Sequence, residues 1–455
     1  MLDVNYLKLG TLAAIIISTF IINGCDKAYK ASSNVSDNIN TSQLLAQMSA
    51  DYSTDSPKNS PNTNRLFINS NGNGYAYIDD QNGQTRIVHN GKAHQPYENI
   101  ENIRLSHDGK TVTYTYTNGE KKLLMVGGKK GEQFYDDIWE TIFSPDDKHI
   151  AYFVQSGDVC YILFDKQISS SFTNILTSPV FSADSSKIAI IVSERGVSDG
   201  CQLKIFDTNL KQLINVPRTR RDFVVNSAST KVAVIAQTEN GRQRAVVADF
   251  NNMNQIIEGP EYDIIQRLDF DIDGKTVIYA AKKNNKKYLV YDGQERLLPD
   301  DATIESVAQL PDKSGVGAVY SANQSYIFKE FFVAKPRKEM VYNEASGLVY
   351  SKDGKHFSFV AARGKDVFLV ADGKESESFD FIVPPANYSP DGTKIVFKVK
   401  KDNKRFVVVA DTNGTVIRKH PAYENVMPLS FSKDGKSVAY GVKNGRELWW
   451  KVENL

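Results

Sequence analysis

From residue 65 onward the chain alternates apolar and polar positions with a period of two, in short runs separated by polar turns. That pattern predicts β-strands, and four segments recur in a constant order. The first is an apolar strand ending in Ser-x-Asp-Gly-Lys or a relative, at 106–110, 144–148, 351–355, 389–393 and 432–436. Its Asp accepts from the backbone beyond the turn and its Gly supplies the positive φ a tight reversal needs. The second is an alternating run such as Ile150-Ala151-Tyr152-Phe153, followed by a polar hairpin. The third is rich in Val and Ile and ends in Asn or Asp, as at Asn90, Asp165, Asp292, Asp372 and Asp411. The last reads Tyr-(Asp/Glu)-x-(Ile/Val), at 97–100, 135–138, 262–265 and 423–426, with Phe379 opening one further copy, and is expected to be the fourth strand.

The turn position recurs at Asn71, Asp108, Asp146, Asp184, Ala228, Asp273, Asp312, Asp353, Asp391 and Asp434, 37 to 45 residues apart. A period of about 40 is that of a four-stranded propeller blade. The expected class is therefore all-β: a β-propeller of about ten four-stranded repeats. No linker interrupts copies five and six, which points to one ten-bladed ring, with two smaller rings as the alternative. The last copy supplies three strands before Leu455. Its blade either stays three-stranded or borrows a strand from the apolar island at 44–52, which would cover an exposed edge.

These repeats resemble TolB-type β-propeller repeats, which read Phe-Ser-Pro-Asp-Gly-Lys followed by Ile-Ala-Tyr. The resemblance covers everything after residue 64. It implies a protein partner in envelope assembly or integrity, while blades of this type also serve as sensors and as parts of enzymes.

The amino-terminal segment predicts a cellular address. Residues 9–22 are uncharged and mainly apolar, too short to cross a hydrocarbon core that needs ~20 residues, and read as a signal-peptide core. Ile22-Asn23-Gly24-Cys25 resembles the lipobox of bacterial lipoproteins. The resemblance implies cleavage before Cys25, acylation of its thiol and new amine, and a lipid anchor without a protein span. A plain secretory peptide or short uncleaved anchor is the alternative. Asp26 resembles the signal that retains a lipoprotein in the inner membrane under enteric-type sorting. Residues 27–64 are rich in Ser, Asn and Asp and read as a tether. The organisation expected is thus 1–24 signal peptide, 25–64 acylated cysteine and tether, and 65–455 propeller, facing the periplasm.

Composition adds mostly exclusions. With 55 Lys and Arg against 54 Asp and Glu, overall charge does not suit coating nucleic acid, and no nucleic-acid partner is expected. The six histidines fall singly, none at metal-ligand spacing, and no motif asks for a cofactor. Gly196-Val197-Ser198-Asp199-Gly200 matches a nucleophile elbow but lies in a predicted hairpin with no helix after it. Asp269, Asp271 and Asp273 open like a calcium loop whose twelfth position is Ala280 instead of Glu. Cys160 and Cys201 open the third strands of neighbouring repeats, either as an inter-blade disulfide or as two buried thiols.

One surface feature is uneven. Hairpin tips carry Lys282, Lys283, Lys286 and Lys287, then Arg363 and Lys365, then Lys400, Lys401, Lys404 and Arg405. They form a basic rim suited to an acidic protein, polysaccharide or lipid head group, or else solvated turns that discourage sheet-edge pairing. The expected function is that of a lipid-anchored envelope protein whose propeller is an interaction platform. Alternatives are a propeller hydrolase or lyase with carboxylates at the central channel, and a ligand sensor acting with a membrane partner.

Overall fold

The structure is a computed structural model that describes residues 41–47, 66–69, 74–81, 84–194, 200–432 and 435–455. Every regular element among the described residues is a β-strand, and these strands form nine antiparallel sheets. Seven sheets have four strands, and one has five because its inner strand is split into Phe381–Ile382 and Asn387–Tyr388. The remaining sheet has eight strands and comprises two blades joined by one long strand, Gln212–Val225. The chain therefore builds ten blades.

The blades close into one ring. Each blade is too thin to bury either face alone, so both faces are apolar and are covered by the neighbours. Second strands show it best: five consecutive residues of Val112–Asn118 are buried. Apolar layers fill the successive junctions, from Ala76, Ile87 and Tyr114 between blades 1 and 2 to Val396, Val409 and Tyr440 between blades 9 and 10. Blade 10 then meets blade 1, where Ile68 lies against Gly441 so closely that a Cβ there would fall 2.4 Å from its Cδ1. This closure leaves no place for two smaller rings.

The Ser-x-Asp-Gly turns form the centre of one face of the ring. In blade 2 the Ser106 hydroxyl donates to Asp108 at 2.8 Å, and Asp108 and Ser106 accept the amides of Lys110 and Thr111. Successive turns also touch. The Asp147 carboxylate accepts the amides of His107 and Asp108, both at 2.8 Å. Gly109, at φ +71°, could not carry a Cβ without meeting Asn69 and Gly74 of blade 1 within 3 Å.

Two sequence expectations are revised here. The Tyr-(Asp/Glu) segments are not fourth strands. The outer strand is a separate stretch just after the turn that ends the third strand, from two residues, as in Lys92–Ala93 and Lys129–Lys130, to seven in Asn252–Glu258, and the aromatic-acidic segment crosses from it to the inner strand of the next blade. Secondly, part of the segment read as a tether is sheet. Thr41–Gln47 pairs antiparallel with Glu447–Asn454 and supplies the fourth strand of blade 10. This is the borrowed-strand arrangement, with the strand centred a few residues before the expected island, of which 48–52 lie outside the described residues.

Candidate binding face

The crossovers and the hairpins between second and third strands share the face opposite the Ser-x-Asp-Gly turns. Each crossover ring bridges the start of a third strand: Tyr97 to Thr85, Tyr135 to Lys122, Phe172 to Cys160, Tyr262 to Gln243, Phe379 to Val367 and Tyr423 to Arg405. The residue after the ring reaches forward to the hairpin of the blade it introduces. Asp136 accepts the amide of Gly157 at 2.6 Å, Asp263 that of Asn284 at 2.9 Å and Asp380 that of Asp402 at 2.8 Å. Asn343 does the same for Gly364, and Asp301, in a crossover without a ring, for Asn323. The motif thus works as a plug and a clamp, which sets the height of the hairpin tips.

The basic residues named from sequence sit on these tips and divide into two groups. Lys283 lies 3.5 Å from Glu295 and 5.8 Å from the centre of the Tyr262 ring. Lys287 donates to the carbonyl of Ala302 at 2.7 Å. Arg363 pairs with Glu375 at 2.7 Å and covers the rings of Tyr342 and Phe368. Lys401 donates to the carbonyl of Ser378 at 3.2 Å above Phe379, and Arg405 to that of Glu424 at 2.8 Å. All five hold crossovers or outer strands in place. The side chains of Lys282, Lys286, Lys365, Lys400 and Lys404 make no hydrogen bond, ion pair or ring contact; Lys286, Lys365 and Lys404 are exposed and Lys282 and Lys400 half-buried. These five lie on the hairpins of blades 6, 8 and 9, on one face.

The other sequence candidates fall elsewhere. Cys25, Asp26 and Ser198 lie outside the described residues. The calcium-like run is a turn: Asp269 accepts the amide of Phe270, Asp271 that of Lys275, and Asp273 pairs with Lys313 at 2.5 Å. Among the described residues no group of three or more His, Cys, Asp or Glu side chains is placed to hold a metal ion.

Cys160 and Cys201 are free, buried thiols rather than a disulfide. Cys201 belongs to the layer between blades 4 and 5, so it faces away from blade 3, which carries Cys160. Burial raises the Cys160 thiol above its usual range.

Sequence reading missed a pairing of histidines with carboxylates. His149 Nδ1 lies 2.7 Å from Asp165, and His356 Nδ1 lies 2.5 Å from Asp372. Each carboxylate also accepts the amide of the residue after its histidine. The signal was available, because both pairs are separated by 16 residues. They tie the turn before the second strand to the turn after the third, on the face away from the basic tips.

No family model matches the chain. No curated protein matches it in sequence. Solved structures align with it at low identity. A eukaryotic initiation factor aligns at 14% identity and TM-score 0.46, over 77% of this chain and 96% of that one. The propeller domain of the Trilobed protease from Pyrococcus furiosus aligns at 12% and 0.35, over 62% and 96%. TolB from Acinetobacter baumannii aligns at 16% and 0.29, over 58% and 79%.

Proposed function

We propose that this chain is a lipid-anchored binding protein of a bacterial cell envelope, whose propeller holds an acidic partner against its hairpin-tip face. The observation that carries the reading is the division of the rim: five cations are tied into the fold, and Lys282, Lys286, Lys365, Lys400 and Lys404 are left without partners on the same face. Exposed charges of one sign raise the local concentration of an oppositely charged partner and speed encounter, in a salt-dependent way. Anchoring rests on Ile22-Asn23-Gly24-Cys25, with acylated Cys25 as the mature terminus and Asp26 favouring the inner membrane. The repeats' resemblance to TolB-type blades supports a protein partner over a polysaccharide.

The test is crosslinking in intact cells of the source bacterium, followed by identification of the co-purified envelope proteins. An acidic envelope protein recovered with the wild-type chain, and lost when the five free lysines become Gln, supports the reading. Equal recovery with the variant overturns it. Mass spectrometry of the purified chain checks the anchor separately: an intact residue 1 or an unmodified Cys25 excludes it.

A further inference from the structure

A groove runs down the rim of the ring between the outer strands of blades 5 and 6, Asn252–Glu258 and Gln294–Leu298. On blade 5, Ile257 stands opposite Val247. Val247 is two residues from Ala245, which packs in one layer with Tyr279 and Val290 of blade 6. Side chains two apart share a face of a strand, so Ile257 projects toward blade 6, and it is 48% exposed. On blade 6, Leu297 stands opposite Tyr288, which joins the same layer. Leu297 therefore projects toward blade 5 and is 60% exposed. Gly259 follows the blade 5 strand and donates its amide to the Ala245 carbonyl at 2.8 Å. A Cβ on it would lie 3.6 Å from the Tyr279 hydroxyl, so the strand ends against blade 6 and leaves bare backbone in the groove.

Two other grooves with an exposed apolar residue set it against a cation. Between blades 2 and 3 the registers turn Ile168 and Lys129 toward each other. Between blades 6 and 7 they do the same for Val341 and Arg296, and Arg296 lies over the Phe332 ring at 4.7 Å. Between blades 5 and 6 an apolar side chain faces another. Charge enters only at the hairpin end. Lys286, one of the free rim lysines, shares a face of its strand with Tyr288, two residues on. Carboxylates nearby are already engaged. Glu295 accepts the Tyr262 hydroxyl at 2.9 Å and lies 3.5 Å from Lys283. Asp263 accepts the Asn284 amide at 2.9 Å, and Glu261 the side-chain amide of Asn240 at 3.4 Å.

We propose that this groove seats the acidic protein partner through a segment that places an apolar side chain between Ile257 and Leu297 and a carboxylate on Lys286. The proposal rests on the reading of the free lysines as a partner site, and it adds the apolar anchor of that site. Charges on a rim set the rate and orientation of encounter, while apolar surface taken from water holds the complex together. A groove one blade wide, walled by two strands, admits a single chain segment rather than a flat bilayer.

The probes are two random copolymers of equal charge density, one of Glu with Tyr and one of Glu with Ala, titrated into the purified chain. The Tyr copolymer should bind about tenfold more tightly, through partial burial of its ring against the two aliphatic side chains. In the double variant Ile257→Thr, Leu297→Thr that advantage should disappear. Ile417→Thr, which removes a similarly exposed side chain from the outer strand of blade 9, should keep it. Thr retains strand propensity, and an unchanged melting temperature shows that the double variant folds. Should it melt lower, Leu297→Thr alone, at the more exposed position, decides. Equal binding of the two copolymers by the wild-type chain, an advantage that survives in the double variant, or one lost equally in Ile417→Thr overturns the proposal. If the free lysines are no site, neither copolymer binds in a salt-dependent way and both readings fall. If the groove alone fails, both copolymers bind and bind alike. Vesicles of phosphatidylglycerol test the other occupant: binding to them that falls in the double variant would make the groove a membrane contact, which also overturns the proposal.

Discussion

Thr41 stands opposite Val452, so that the first described strand of the chain and the last lie side by side in one sheet. The strand they complete packs inward as well: Leu45 joins Ala439, Trp450 and Val452, and Ala46 reaches Tyr77 and Val88 of blade 1. One short segment thus covers the edge of blade 10 and fastens it to blade 1.

Deleting residues 41–47 is therefore expected to lower the melting temperature and the denaturant midpoint. The loss should be a few kcal/mol, the scale of two half-buried apolar side chains plus the pairing of one strand. The bared edge of Glu447–Asn454 should also promote self-association, visible by analytical ultracentrifugation. An unchanged midpoint with a monomeric product would show that blades 10 and 1 hold together by face packing alone.

The crossover carboxylates give a second, more local expectation. Asp380 accepts the amide of Asp402 across a hairpin that no other carboxylate of the crossover reaches. Asp380→Ala should destabilise the ring by about 1 kcal/mol, the ordinary worth of such a bond at an exposed site. Hydrogen exchange should quicken at the Asp402 amide while the core of blade 9, around Val396 and Val408, keeps its protection. Uniform loss of protection across the blade would contradict a local clamp.

How far these features were legible in sequence follows from how local their causes are. Most hydrogen bonds of the Ser-x-Asp-Gly turn close within six residues, as between Ser106, Asp108, Lys110 and Thr111, so its sequence and its geometry coincide. The crossover was misread as a strand because Tyr-Asp-x-Ile alternates like one, while the real outer strands, such as Lys129–Lys130, are too short to show a period. Positions of the rim cations were readable, but their occupation was not: Glu295 and Ala302, the partners of Lys283 and Lys287, lie 12 and 15 residues away across an intervening strand.

Acid sensitivity should concentrate at the junction of blades 1 and 2. His89 and His94 are both held below the usual histidine range, chiefly by desolvation. His89 Nε2 lies 3.0 Å from the Gly109 carbonyl and His94 Nδ1 3.1 Å from the Tyr114 hydroxyl. A histidine whose folded pKa is depressed binds its proton more readily in the unfolded chain. Stability from this pair is thus complete above the ordinary value of about 6.5 and declines as pH falls below it. His94→Phe should flatten that decline in denaturant midpoints measured between pH 7 and 5. An unaltered slope would assign the acid sensitivity to other groups.

The two groups of rim cations should separate in one set of variants. Lys401 and Arg363 touch rings and acceptors within the fold, so Lys401→Ala and Arg363→Ala should each lower stability by about 1 kcal/mol. The side chains of Lys282, Lys286, Lys365, Lys400 and Lys404 hold no ion pair or ring, so changing all five to Gln should leave the melting temperature within a degree or two. The same five-fold variant should weaken binding of an acidic probe such as polyglutamate, and should reduce the steepness with which salt weakens it. Lysines that merely solvate turns would behave in the opposite sense: polyglutamate binding and its salt dependence would survive the loss of all five. The comparison needs both measurements, because a fall in affinity accompanied by a fall in melting temperature would trace to damaged hairpins. Affinity lost at constant stability is the outcome that assigns these lysines to a partner.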